Sequence, residues 1–214
     1  MYLWGVDSAE AVTEDLYQCV VEQFGHPGFW GRYLLRVPGI SEGLTHEELA
    51  LLRRKRVRLL PIYNSLTEAL GIRQGVAAAN HATFQARLLG VPAGVPLFAN
   101  LERFFDIDAA WIRGWTETVQ AGGYQSGIYH DPVSGAFELA FCEAVREDPS
   151  IKGNTILWSA EPVLAPSGPG NQPEYRPEVP NCGGKVWIWQ YSRQTPQCPV
   201  DTDLASPRLV QLLW

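Results

Sequence analysis

The sequence predicts an α/β chain folded as one irregular, TIM-like (β/α) barrel. Three observations carry this expectation. Eight short apolar segments recur along the 214 residues, and each runs into a polar, acidic or aromatic hydroxyl side chain. Helical periods separate the first six of them, as expected of βα units on a parallel sheet. After Trp158 the alternation stops and a proline-rich stretch follows. In a closed parallel barrel the C-terminal strand ends share one face, where reactive groups collect.

The first strand is expected at residues 2–6, running into Asp7. Ser8 then stands where it can cap a helix whose apolar face reads Val12, Leu16 and Cys19/Val20. The second strand, 29–34, delivers Tyr33. Thr45-His46-Glu47-Glu48 has the spacing of a capping box, with Leu49 and Leu52 behind it. The third strand, 57–63, leads to Tyr63 and Asn64. An alanine-rich helix from Ile72 to Leu89 stops at Gly90, with Pro92 beyond. The fourth strand, 95–101, brings Asn100 and Glu102. Trp111, Trp115 and Val119 then recur at helical spacing as a core stripe, ended by Gly122-Gly123.

The fifth strand, 126–130, carries Tyr129 and His130 and is followed by Asp131 and a helix through Phe137, Phe141 and Val145. The sixth, 155–159, brings Trp158 and, just beyond, Glu161. Residues 162–185 contain six prolines and four glycines and read as one long loop of the kind that serves a site. The loop is expected over the barrel mouth or beside the cleft. Strands at 186–191, with Gln190 and Tyr191, and at 199–203, with Asp201 and Asp203, follow without a helical crossover, which admits antiparallel pairing. A short helix, 207–213, closes the base. With no linker and no fixed repeat, residues 1–214 read as one domain.

Composition excludes several classes. Seventeen basic against 23 acidic residues give a net charge of −6, the wrong sign for a nucleic-acid binder. A 46% hydrophobic, 19% charged chain has ample core material and is not disordered by composition. No apolar run is long enough to span a membrane. The chain enters a strand at once, without a basic, apolar leader, so no signal peptide is expected and synthesis is cytoplasmic; export by another route or a removed leader stays open. Cys19 and Cys142 fall on apolar helix faces and read as buried thiols. Cys182 and Cys198 each precede a late strand, and a bridge between them is expected. No CxxC occurs and the histidines are dispersed, so no metal site and no cofactor is expected.

The strand-end acids suggest carboxylate chemistry. Glycoside cleavage uses an acid and a second carboxylate across the scissile bond, and the acid stays protonated through burial or like charge. Glu102 with Asp7 and Asp201 across the mouth would meet that need, although acids at strand ends also cap helices. Asp203 is the alternative to Asp201, with strand register deciding between them. Tyr33, Tyr63, Tyr129, Trp158 and Tyr191 are candidates for the walls of a sugar groove, with Asn100, Glu161 and Gln190 as polar contacts. Glu161 and Asp131 precede prolines and could equally shape loops. His130 is either a surface or a catalytic residue.

Six pieces, in order, resemble glycoside hydrolase family 25, the Chalaropsis-type lysozymes: Gly5-Val6-Asp7-Ser8, Asn100-Leu101-Glu102, Gly127-Ile128-Tyr129, Leu157-Trp158-Ser159-Ala160, Trp189-Gln190-Tyr191-Ser192 and Val200-Asp201. Gly31-Arg32-Tyr33-Leu34, Leu60-Pro61-Ile62-Tyr63, Gln74-Gly75 and the run Leu89 to Pro96 are closer to a related bacterial glycoside hydrolase-like domain of unknown function. The resemblance implies a TIM-like barrel with a glycan-shaped cleft, Glu102 as proton donor and Asp7 and Asp201 as supporting carboxylates. It implies a polysaccharide partner such as peptidoglycan and identifies no protein partner. The sequence departs where the lysozymes carry Asp-x-Glu: Asn100 takes the first acid's place and cannot carry charge. Three classes follow: a glycosidase, a non-catalytic glycan-binding or cell-envelope scaffold that Asn100 favours, and a hydrolase holding Mg²⁺ or Ca²⁺ on its acids.

Overall fold

The structure is a computed structural model, and it describes every residue except 1, 194, 196 and 197. Seven parallel strands form most of a closed barrel: β1 (Leu3–Ser8), β2 (Phe29–Tyr33), β3 (Arg58–Tyr63), β4 (Pro96–Asn100), β5 (Gln125–His130), β6 (Thr155–Ala160) and β7 (Lys185–Ser192). An eighth, β8 (Asp201–Ala205), closes the ring between β7 and β1 and runs antiparallel to both. The strand ends lie within two residues of those expected. Parallel neighbours need a crossover of a dozen or more residues. The link from Ser192 to Asp201 is too short, so the chain turns back.

The reversal corrects one expectation. Asp201 opens β8 instead of ending it, and it reaches the mouth because a reversed strand begins where the others finish. Its cross-strand partner is Asp7.

The helices are α1 (Glu14–Gln23), α2 (His46–Lys55), α3 (Ile72–Leu88), α4 (Ala109–Ala121), α5 (Phe137–Glu147), α6 (Ser150–Asn154) and α7 (Pro207–Val210). Thr13, not Ser8, caps α1, accepting from Leu16 N. Ser8 belongs to β1, where its hydroxyl accepts from Trp30 Nε1 at 2.9 Å. Thr45 caps α2 as expected. Glu48, however, does not complete a capping box. Its carboxylate forms a buried ion pair with Arg32 of β2 and accepts from Val12 N at 3.0 Å. Arg32 also donates to Ser8 O at 2.6 Å and to Glu42 O at 3.0 Å. The loop that follows Asp7 is thereby fastened to β2 and α2.

Period-two alternation sorts the strand residues. Phe29, Leu60, Ile62, Phe98, Ile156, Trp158 and Ile188 fill the barrel interior. Outward residues pack beneath the helices, where Trp111 and Trp115 stack at 5.6 Å as the core stripe the spacing predicts.

Residues 162–184 replace the crossover helix between β6 and β7. Pro162 and Val163 start at the mouth, Gly168 lies against Phe24 at the end of α1, and Glu178 N returns to Glu161 Oε1 at 2.9 Å. A Cβ at Gly168 would stand 1.8 Å from Phe24 O, so only glycine permits that approach.

Two disulfides join Cys19 to Cys198 and Cys142 to Cys182. The expected Cys182–Cys198 bridge is absent, and Cys19 and Cys142 are not thiols. The reason is again the direction of β8. Cys182 precedes a strand that starts at the base, whereas Cys198 precedes one that starts at the mouth.

Candidate functional site

A cavity of about 630 Å³ opens at the mouth. Asp7, Tyr33, Asn100, Glu102, Tyr129, Trp158, Gln190 and Asp201 line it. They come from β1, β2, β4, β5, β6, β7 and β8, with Glu102 two residues past the end of β4, so inward parity and a common end bring them together. Gly31 makes the space. A Cβ there would lie 2.7 Å from Asp7 Cβ and 3.0 Å from Trp158.

Gln190 organises the acids. Its Nε2 donates to Asp7 Oδ2 and to Asp201 Oδ2, each at 3.0 Å. Its Oε1 accepts from Tyr129 Oη at 3.0 Å and from Arg193 Nη2 at 3.4 Å. An amide that meets two carboxylates with its donors has its orientation fixed. Arg193 also donates to Tyr129 Oη at 2.7 Å and pairs with Asp201 at 3.8 Å.

Burial raises the Asp7 carboxyl above its ordinary range, opposed by hydrogen bonds from Asp203 and Gln190 and by the charges of Arg193 and Arg32. Burial, then the charges of Asp7, Glu102 and Asp201, push the Tyr33 hydroxyl far up. Tyr33 thus stays a neutral hydroxyl in the field of all three acids. Burial does the same for Tyr129, which remains a donor to Gln190. On the other side, Asn100 Nδ2 donates to Glu102 Oε1 at 3.0 Å. A donor stands where an acid would compete for the same proton.

Other expected residues lie elsewhere. Asp203 and Asp201 are not alternatives: two apart on one strand, they face inward together. Asp203 is completely buried below the cavity, and its Oδ1 accepts from Trp158 Nε1 at 3.1 Å. Tyr63 faces outward, against Trp115 and His81. Tyr191 also faces outward, accepting from Trp4 Nε1 at 2.9 Å. Neither lines the mouth cavity, because their strand parity is the outward one. Glu161 accepts from Ser159 Oγ and Glu178 N, and lines a second cavity of about 500 Å³. Asp131 caps a turn through Val133 N and Ser134 N. His130 is neither on the surface nor at the mouth. It is fully buried and stacks on Phe137 at 3.9 Å.

The sequence reading missed Arg193, Thr195, Cys198 and Pro199, which also line the mouth cavity. Arg193 follows the C-terminal end of β7, so the rule that found the acids would have found it. Glu102, Tyr129 and Arg193 line both cavities and form their shared wall. Among the described residues, no group of three or more His, Cys, Asp or Glu is placed to hold a metal ion, and no helix is long and apolar enough to cross a membrane.

Residues 26–160 match the model of the Rv2525c-like, glycoside hydrolase-like domain. Among solved structures, the chain is similar to an uncharacterized protein of B. stearothermophilus, with 48% identity, a TM-score of 0.97, and coverage of 99% of this chain and 100% of that one. It shares its fold with a muramidase from Acremonium alcalophilum, at 14% identity, TM-score 0.63 and 98% of each chain. A family GH25 lysozyme from Aspergillus fumigatus matches at 12% identity, TM-score 0.58 and 99% of each chain. No curated protein matches the chain.

Proposed function

The chain belongs to the Rv2525c-like, glycoside hydrolase-like domain family, and we propose from that footing that its mouth cavity binds an N-acetylated cell-wall glycan and cleaves it by carboxylate acid/base chemistry. One observation carries the reading. Asp7, Asp201 and Glu102, remote in sequence, line one cavity with the hydroxyl of Tyr33 in the field of all three. Glu102 gives its proton to the glycosidic oxygen. Asp7 and Asp201, tied together by Gln190, hold negative charge toward the positive charge that develops on the sugar ring. Tyr33 and Tyr129 offer hydroxyls to the sugar, and Trp158 forms the apolar floor.

Asn100 favours a second reading. Its amide donates to Glu102, which suits a carboxylate better than a proton donor. In that reading the cleft binds glycan without cutting it.

The disulfides add a place of action. Bridges persist in oxidising compartments, so with both pairs formed we propose that the protein works outside the reducing cytoplasm, at the cell envelope.

The test is to incubate the protein with purified peptidoglycan and with chitin-type oligomers across pH 4–8 and count new reducing ends, beside Glu102→Gln. Cleavage by the parent and loss in Glu102→Gln support the enzyme. Glycan binding with no new ends from either protein supports the scaffold. Equal cleavage by both removes Glu102 from the role.

A further inference from the structure

Asp203 has one carboxyl oxygen that the rest of the site leaves without a donor. The residue has no solvent exposure. Its Oδ1 accepts from the Trp158 indole at 3.1 Å. Its Oδ2 is buried with no hydrogen-bond partner in the ordinary donor–acceptor sense among the described residues. A buried charge without partners is among the most costly arrangements in a protein. Yet Asp203 has another acid as its neighbour, Asp7, with which its side chain interacts directly. Two carboxylates cannot satisfy each other. One carboxylic acid and one carboxylate can, through a single O–H···O⁻ bond, and charge-assisted bonds of that kind are short and strong.

The surroundings decide which acid keeps the proton. Asp7 accepts from Gln190 Nε2 at 3.0 Å and lies in the field of Arg193 and Arg32. These stabilise its ionised form; of the other groups that share the cavity, Asp201 and Glu102 are acids, and Tyr33 and Tyr129 are neutral hydroxyls. Asp203 has the Trp158 indole as its donor and no cation among the groups acting on it; Asp7 and Asp201 are both acids. Burial and then the charge of Asp7 push its carboxyl well above the ordinary range. The cross-strand register fits the pairing, with Asp201 opposite Asp7 and Asp203 opposite Gly5. A Cβ at Gly5 would stand 2.4 Å from the Phe29 ring, so the missing side chain makes room for that ring on the inner face opposite Asp203.

We infer that Asp203 is a carboxylic acid that donates its Oδ2 proton to Asp7, and that this buried donor is the positioning residue that holds Asp7 as an oriented carboxylate in the cleft. The proton count is simple: one proton lies on Oδ2 of Asp203, none on Asp7, and no bond other than the hydrogen bond is made. Asp203 acts through Asp7 and touches no ligand. The role of Asp7 in glycan chemistry rests on the function proposed above, but the shared proton does not.

The experiment labels aspartate carboxyl carbons with ¹³C and follows their titration by NMR from pH 4 to 9 in the intact, disulfide-bonded protein. Three samples are compared: the parent, Asp203→Asn and Asp203→Leu. The expected result is one aspartate carboxyl still protonated at pH 7 in the parent and missing from Asp203→Asn. Asparagine keeps an N–H donor for Asp7 and an acceptor for Trp158, so Asp203→Asn should bind glycan oligomers within about threefold of the parent. Leucine removes the donor, and a hydrogen bond to a charged group is worth about tenfold or more; Asp203→Leu should bind correspondingly less, and the midpoint of Asp7 should rise. An Asp203 carboxyl that is ionised at pH 7 in the parent overturns the inference. So does a Leu variant whose Asp7 titrates like that of the Asn variant. If Asp203→Leu does not fold, the parent and Asp203→Asn spectra alone decide. A clean shared proton in a protein that never cleaves glycan would leave this inference standing while the enzyme reading falls.

Discussion

Acid should destabilise this protein through one histidine far from the cleft. His130 ends β5 but points away from the mouth, fully buried against Phe137 of α5. Burial pushes its pKa down from 6.5 to about 3, with Asp131 pulling weakly the other way. The unfolded chain therefore binds a proton that the folded chain refuses throughout the window from pH 6.5 down to 3. Stability falls as pH falls across that window, with a limiting slope of about 1.4 kcal/mol per pH unit. Between pH 6 and pH 4 the loss is about 2.5 kcal/mol. Asp7 and Asp203 act with the opposite sign: their raised carboxyls keep protons in the folded state, so that pair gains stability as pH falls. The total curve mixes both effects, and the difference between the parent and His130→Leu separates them. Urea unfolding at half-unit pH steps should show His130→Leu less stable than the parent at pH 7, from lost stacking. From pH 7 to pH 4 the gap should close or reverse by about 3 kcal/mol, about 6–12 °C in Tm for a chain of this size. Parallel curves for the two proteins would refute the burial argument.

Other perturbations act on the bridges, the buried ion pair and the cleft. Unfolded without reductant, the protein should show no free thiol, and four after reduction. Reduction of the Cys19–Cys198 bridge, which spans a sequence separation of 179, should cost up to about 5 kcal/mol by the loop-entropy relation, seen as a lower Tm. Glu48→Gln leaves the Arg32 guanidinium buried without its counter-charge and should cost about 3–5 kcal/mol in denaturant titration. Asn100→Asp replaces the amide that donates to Glu102 with an acid able to share a proton. If the cleft is catalytic, reducing-end release near neutral pH should rise by about tenfold or more; no change, with glycan binding intact, would favour the scaffold.

Most of the barrel was legible because its strands are short apolar runs between clear helix boundaries. Thr45, Gly90 and Gly122-Gly123 punctuate the helices as their chemistry requires. Ser8 misled because a strand-end serine and a helix cap have the same local sequence; the choice was made by Trp30, 22 residues away, which uses the hydroxyl as an acceptor. The capping-box motif misled in the same manner. Glu48 is drawn to Arg32, and a buried guanidinium outweighs a backbone N–H that water can reach. In both cases tertiary partners overrode a local preference, and no window of sequence contains those partners.

The candidate site was legible where a side chain stands at the end of a parallel strand with inward parity: Asp7, Tyr33, Asn100, Tyr129, Trp158 and Gln190. It was less so where parity or direction had to be known. Tyr63 and Tyr191 sit at the right height and on the wrong face. The last strand's direction governs the rest. Because β8 runs backward, Asp201 stands beside Asp7 at the mouth while Asp203 drops one layer deeper, beside Trp158. A parallel β8 would have ordered the two acids the other way, with Asp203 nearer the mouth and Asp201 beneath. The same reversal carries Cys198 to the mouth, where its bridge to Cys19 ties the loop before Asp201 to α1. One change of chain direction, forced by an eight-residue link between Ser192 and Asp201, therefore decides which acid faces a ligand, which is left to share a proton, and which cysteines pair.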